Sequence, residues 1–156
     1  MAFFVRRLRA GEVESAMQLA MDTFLKYEAP DYGEAGVDTF RRDIIENDAF
    51  LQNCRNGVNR LWGAFEEEKL VGIFGMRGES HICPVFTHCD YHRQGIATAI
   101  FHQLLADVKK ENPQITQLTL NSSPYGKPFY HRVGFRDVDS EKTINGIRFT
   151  AMVYEL

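Results

Sequence analysis

The sequence predicts one α/β (α+β) domain over residues 1–156. Three observations carry that reading. Segments with apolar residues at three- and four-residue steps are interleaved with short strand-like runs; the breaks between several of those runs have hairpin chemistry; and no linker, repeat or low-complexity stretch divides the chain. A chain of 156 residues buries roughly two thirds of the surface its unfolded form exposes, enough for one core.

Residues 3 to 9 read as a first strand. Val13, Ala16, Met17, Ala20 and Phe24 then recur as one buried helix face requires, and that helix is expected to stop before Pro30. The segment Tyr27 to Gly33 is punctuated like a loop, after which Val37, Phe40, Ile44 and Ile45 give a second helical pattern, and residues 48 to 56 a short third one. From Arg60 the period changes. Leu61 to Phe65 and Leu70 to Met76 are strand-like runs separated by Glu66-Glu67-Glu68-Lys69, which predicts a hairpin, and Ser80 to Thr87 extends it. Gly95 to Lys110 is a helix with Ile96, Ile100, Phe101, Leu104, Leu105 and Val108 on one side, ending before Pro113. Residues 115 to 121 form a strand, and a short helix over about 125 to 133 ends at Gly134. Two strands close the chain around Asn145-Gly146, since both residues tolerate positive φ.

Composition narrows the function classes. With 44% hydrophobic and 25% charged residues and a formal net charge of -3, neither a nucleic-acid nor an anionic membrane partner is implied. No apolar run approaches the ~20 residues of a bilayer span, and Ala2 to Val5 is too short for a signal-peptide core, so a cytoplasmic location is expected. Cys54, Cys83 and Cys89 form no even set of bridges and are read as free thiols. His81, Cys83, His88, Cys89 and His92 invite a zinc reading, but their spacing matches no paired Cys-x-x-Cys frame and two of them sit on a strand; no metal is expected.

Two segments carry chemistry. The turn His92-Arg93-Gln94-Gly95-Ile96-Ala97 opens a helix, where backbone N–H groups lack intrahelical partners and the dipole adds partial positive charge, so an anion is bound readily. Downstream comes the run from Asn121 to Phe135, with Phe129-Tyr130 shortly before Gly134-Phe135. This order of strand, glycine turn, helix, strand and aromatic block resembles, over nearly the whole chain, the GNAT superfamily of acyl-CoA-dependent N-acyltransferases. The family's turn reads Arg or Gln, two residues, Gly, one residue, Gly or Ala; Gly95 and Ala97 match, and His92 stands at the first position.

The resemblance implies a mixed, mostly antiparallel sheet of about six or seven strands with about four helices, splayed in a V between its fourth and fifth strands. It implies acetyl-CoA as the cofactor, its pyrophosphate on the amides of Gln94, Gly95, Ile96, Ala97 and Thr98 with His92 and Arg93 near the phosphates. The pantetheine arm would lie along Val85, Phe86 and Thr87, with Asn121, Ser123 and Phe129 on the other side. Tyr130 falls where the family commonly places a phenol beside the departing thiolate, where negative charge develops. The expected reaction is direct acetyl transfer to a primary amine in a ternary complex; the alternative is a non-catalytic acyl-CoA-binding module on the same fold.

An ammonium ion must lose a proton before it attacks. His81 is the first candidate base, since imidazole has an unperturbed pKa near 6.5; Glu79 is second and Glu28 third. In this family the loop between the first two helices shapes the acceptor site. Here that loop supplies Tyr27, Glu28 and Tyr32 as substrate-binding candidates, and its carboxylates favour a cationic amine. The final hairpin offers an edge on which a homodimer could form.

Overall fold

In the computed structural model of the chain, residues 3–87 and 95–156 are described. Eight strands form the sheet: β1 Phe4–Arg7, β2 Arg60–Glu66, β3 Lys69–Arg77, β4 His81–Thr87, β5 Gln117–Ser122, β6 Arg136–Asp137, β7 Lys142–Ile144 and β8 Ile147–Glu155. Five α-helices accompany them: α1 Val13–Tyr27, α2 Ala29–Phe40, α3 Asp48–Arg55, α4 Ile96–Glu111 and α5 Lys127–Val133. The strand order is β1-β2-β3-β4-β5-β8-β6, with β7 also on β8. Every pair is antiparallel except β4–β5, which is parallel because α4 carries the chain back across the sheet between them.

The helical stripes read from the sequence are the buried ones. Val13, Ala16, Met17, Ala20 and Phe24 of α1, with Ile44 and Phe50, cover one sheet face against Leu61, Ile73 and Phe86. On the other face α4 buries Ile96, Ile100, Phe101, Leu104, Leu105 and Val108 against Trp62, Val71, Phe74, Leu118, Leu120 and Met152. Each face therefore has its own core, and the strands between them are apolar on both sides.

Where the periodicity is interrupted, the structure departs from the sequence reading. Residues 27–33 are not an open loop: α1 ends at Tyr27, α2 begins at Ala29 with Pro30 in its first turn, and the helix breaks at Gly33, whose φ is +70°. Proline is tolerated there because its missing N–H would have had no helical partner anyway. Past Phe40 the helix widens into one π-turn, Arg41–Ile45, and Asn47 then caps α3 by accepting the Phe50 N–H at 3.0 Å.

The opening that positions the site lies between β4 and β5. Among the described residues these strands pair at His81 with Thr119 and Ile82 with Leu120, so beyond Ile82 strand β4 continues its ladder with β3 but not with β5. At this point a bulge sets Cys83 and Pro84 opposite Gly75, where an added Cβ would lie 2.5 Å from the Cys83 carbonyl oxygen. The bulge resets the side-chain alternation. Ile82 and Val85 pack with the α4 core, whereas Cys83 and Phe86 pack with the α1 core.

Candidate active site

Ahead of α4, Gly95 takes the left-handed conformation (φ +78°) that starts the helix. Gly95 accepts the Ala99 N–H at 3.0 Å, leaving the N–H groups of Gly95, Ile96, Ala97 and Thr98 without helical partners. No acidic side chain occupies the first turn to neutralise it, while Lys109 and Lys110 compensate the far end. Among the described residues, no heavy atom lies within 4 Å of where a Gly95 Cβ would stand. The depth at which this turn sits is set by Gly72 of β3. A Cβ there would meet Ile96 and Ile100 at 3.1 Å and the Phe86 carbonyl at 3.6 Å, so the first turn of α4 rests on β3 beside the end of β4. His92, Arg93 and Gln94 lie outside the described residues, as do His88 and Cys89.

Val85 and Thr87 are half-buried and Phe86 is buried along the part of β4 beyond its pairing with β5. Across the opening, Asn121 is exposed near the end of β5 and Ser123 follows it. Phe129 sits edge-on to Phe74 with ring centroids 6.4 Å apart.

Tyr130, on α5, is buried between Phe129 and Phe135, with ring centroids at 5.4 and 5.6 Å. Gly126 makes room for it, since a Cβ there would stand 3.1 Å from the Tyr130 ring and 3.3 Å from Ser123 Oγ. Ser123 Oγ accepts the Gly126 N–H at 3.0 Å and is also hydrogen-bonded to both Glu28 and Tyr32. With Glu28 ionised, one arrangement satisfies all three partners: Gly126 and Tyr32 donate to Ser123 Oγ, and its hydroxyl donates to the carboxylate.

Burial governs the electrostatics of this cluster. It pushes Glu28 up to about 7, opposed by the Ser123 hydrogen bond and helped by Asp31. It raises Tyr130 above the usual phenol range, with Glu28, Cys83 and Tyr32 adding to the effect. Tyr32 is raised by burial first and then by Glu28 and Asp31, against the pull of Arg148. Cys83 is pushed up to about 11, mainly by burial, so its thiol is protonated at neutral pH.

The α1–α2 junction reaches the cluster because aromatic packing and the β7–β8 hairpin hold it. Phe24 stacks on Phe40 at 4.1 Å and touches Tyr32 at 5.5 Å, and Phe40 meets Phe86 edge-on at 5.7 Å. The Thr39 hydroxyl donates to the Asn145 carbonyl at 2.6 Å, and Gly36 lies so close to Gly146 that neither position has space for a Cβ. Tyr27 packs against Tyr125 at 5.1 Å.

The structure thus brings Tyr130, Glu28, Tyr32 and Ser123 together and keeps His81 and Glu79 apart from them. His81 opens β4, at the paired end, with its Nδ1 2.9 Å from Thr119 Oγ1; burial and Arg77 both push its pKa down. It borders a cavity of about 240 Å³ shared with Thr119, Asn121, Arg136 and Val153. Glu79 is exposed in the β3–β4 turn, on a groove of about 330 Å³ with Asn112, Gln114 and Thr116. Sequence reasoning ranked Glu28 low and gave no sign of its bond to Ser123, because no local pattern links residues on α1 and β5. Among the described residues, no three His, Cys, Asp or Glu side chains could share a metal ion.

Comparison with known proteins agrees with this architecture. The family described as the acetyltransferase (GNAT) domain matches residues 28–156. An uncharacterized N-acetyltransferase of Escherichia coli (strain K12), YafP, is 32% identical over 84 residues, 54% of this chain and 51% of its own length. The chain therefore spans about half the length of that curated relative. A GCN5-related N-acetyltransferase from Rhodopseudomonas palustris shares the fold with a TM-score of 0.83 at 18% identity, covering 100% of this chain and 97% of that one. The PaiA N-acetyltransferase from Thermoplasma acidophilum, solved in complex with coenzyme A, covers 100% of both chains with a TM-score of 0.80 at 17% identity.

Proposed function

The chain belongs to the GNAT acetyltransferase family, and from that membership and the geometry of the β4–β5 opening we propose that it transfers an acetyl group from acetyl-CoA to a primary amine by direct attack in a ternary complex. The observation that carries this reading is the place of Tyr130. It stands buried after the end of β5, its electrostatic neighbours coming from α1, α2 and β4.

The unpaired N–H groups at the start of α4 would hold the pyrophosphate, with His92, Arg93 and Gln94 preceding them. The stretch of β4 from Val85 to Thr87, past its pairing with β5, would hold the pantetheine, Asn121, Ser123 and Phe129 facing it. As the amine adds to the carbonyl carbon and the C–S bond breaks, Tyr130 gives its phenolic proton to the leaving sulfur; a phenol held neutral by burial is available for this throughout the physiological range. A Cys83 nucleophile is disfavoured by a thiol pushed up to about 11. The acceptor enters past Tyr27, Glu28 and Tyr32, and Asp31 beside them favours a cationic amine. Such a reaction belongs in the cytoplasm, and the outer edge of β7, with Ile144 exposed, is where a second copy would pair.

The test is release of CoA thiol from acetyl-CoA in the presence of polyamines, amino acids, aminoglycosides and peptides. Tyr130→Phe is expected to lower kcat by roughly 10- to 100-fold while CoA affinity changes less than about threefold. Binding of acetyl-CoA without thiol release for any amine would leave the non-catalytic acyl-CoA module as the better description.

A further inference from the structure

Resting on that reading, we propose that Glu28 is the group that takes the proton from the acceptor's ammonium, and that Ser123 and Tyr32 hold it in place to do so. The cluster is assembled from two distant parts of the chain. Glu28 closes α1 and Tyr32 lies on α2, and the two converge on the hydroxyl of Ser123, which follows β5 and is itself fixed by the Gly126 N–H at 3.0 Å. Gly126 is also the residue against which the Tyr130 ring packs, so the acid that serves sulfur and the base that serves nitrogen share a support.

The Ser123 hydroxyl can donate one proton. When it donates to one carboxylate oxygen, the second oxygen of Glu28 keeps its acceptor capacity for the incoming nitrogen. Among the described residues, the groups facing this carboxylate are Asp31 and Tyr32 from α2, Cys83 from β4, Tyr130 from α5 and Ser123; Arg148 of β8 is drawn toward Asp31, 3.9 Å away. None of these is a cation placed on Glu28 itself. A half-buried carboxylate with no cationic partner among the described residues becomes a stronger base than a solvated one, which is what abstraction from an ammonium needs.

The proton balance closes. The ammonium loses two protons on becoming an amide: Glu28 takes the first and passes it to solvent, and the second replaces the proton that Tyr130 gives to sulfur. His81, at the paired end of β4, faces Thr119 and Arg77 rather than this cluster.

The experiment is the pH profile of kcat/KM for an accepted amine, from pH 5 to 9, in the wild type, Glu28→Gln, Ser123→Ala and His81→Asn. Acetyl-CoA binding by calorimetry serves as the control for an intact cofactor site. Glu28→Gln is expected to lose at least 10²-fold in kcat/KM, to keep acetyl-CoA affinity within about threefold, and to lose the wild-type acidic limb near pH 7. Ser123→Ala removes the hydrogen bond that holds Glu28 down, so its limb moves to higher pH. His81→Asn keeps the limb. A Glu28→Gln enzyme with wild-type rate and limb, or a limb below pH 6.5 that vanishes only in His81→Asn, overturns the assignment. Absence of thiol release by the wild type with every amine would instead overturn the acetyltransferase reading on which it rests.

Discussion

Glu12 precedes α1 and Glu28 follows it, and the two carboxylates answer to pH in opposite senses. Arg6 grips Glu12 through bonds of 2.9 and 2.7 Å and holds it down at about 2. Its contribution is present above the ordinary carboxylate value and is lost as pH falls from 4.5 to about 2; being partly exposed, the pair is worth less than about 1 kcal/mol. Glu28, raised from 4.5 to about 7, is bound more tightly by its proton in the folded chain than in the unfolded one. The fold therefore loses stability as pH climbs through that window. Glu28→Gln is expected to raise Tm at pH 8 by the equivalent of roughly 1–3 kcal/mol and to leave it unchanged at pH 4, as thermal unfolding at the two pH values will show. The residue proposed to accept the proton is then one that the fold retains against its own stability.

Between elements, the contact that matters most for the proposed coenzyme site is α4 on β3. Because a Cβ on Gly72 would meet Ile96 and Ile100 at 3.1 Å, Gly72→Ala must lift the first turn of α4 by a few tenths of an ångström. The expected result is a loss of about 1–2 kcal/mol in denaturant unfolding and a several-fold weaker CoA affinity by calorimetry, with KM for the amine little changed. The same reasoning explains why the α1–α2 junction misleads a sequence reading. Pro30 and Gly33 carry the punctuation of a loop, yet both fit a short helix whose first turn needs no donor at Pro30 and whose kink uses the positive φ of Gly33. That kinked helix, braced on the β7–β8 turn, brings Tyr32 to Ser123.

At the scale of the molecule, two cores press on one sheet from opposite sides, and the sheet parts between β4 and β5 beyond Ile82 and Leu120. A ligand bound in that gap touches elements from both layers and binds the folded chain alone. CoA at one hundred times its Kd is therefore expected to add about 2.7 kcal/mol. For a domain of this size that appears as a rise in Tm of roughly 5–10 °C in scanning calorimetry; no rise at millimolar CoA would count against the cofactor assignment.

What the sequence determined by itself is what local geometry controls. The 3.6-residue stripes of α1 and α4, the stop at Gly134 with φ of +115° and the Asn145-Gly146 turn with φ of +52° and +81° all follow from backbone preferences acting over a few residues. The tertiary structure alone decided which carboxylate lies beside Tyr130. The sequence ranks His81 ahead of Glu28, but proton affinity depends on desolvation and on hydrogen-bond partners summed over everything packed nearby. Those neighbours are Ser123, Asp31 and Tyr32 for Glu28, and Thr119 and Arg77 for His81. They are assigned by strand order and helix packing, which join distant segments and leave no local trace in the chain.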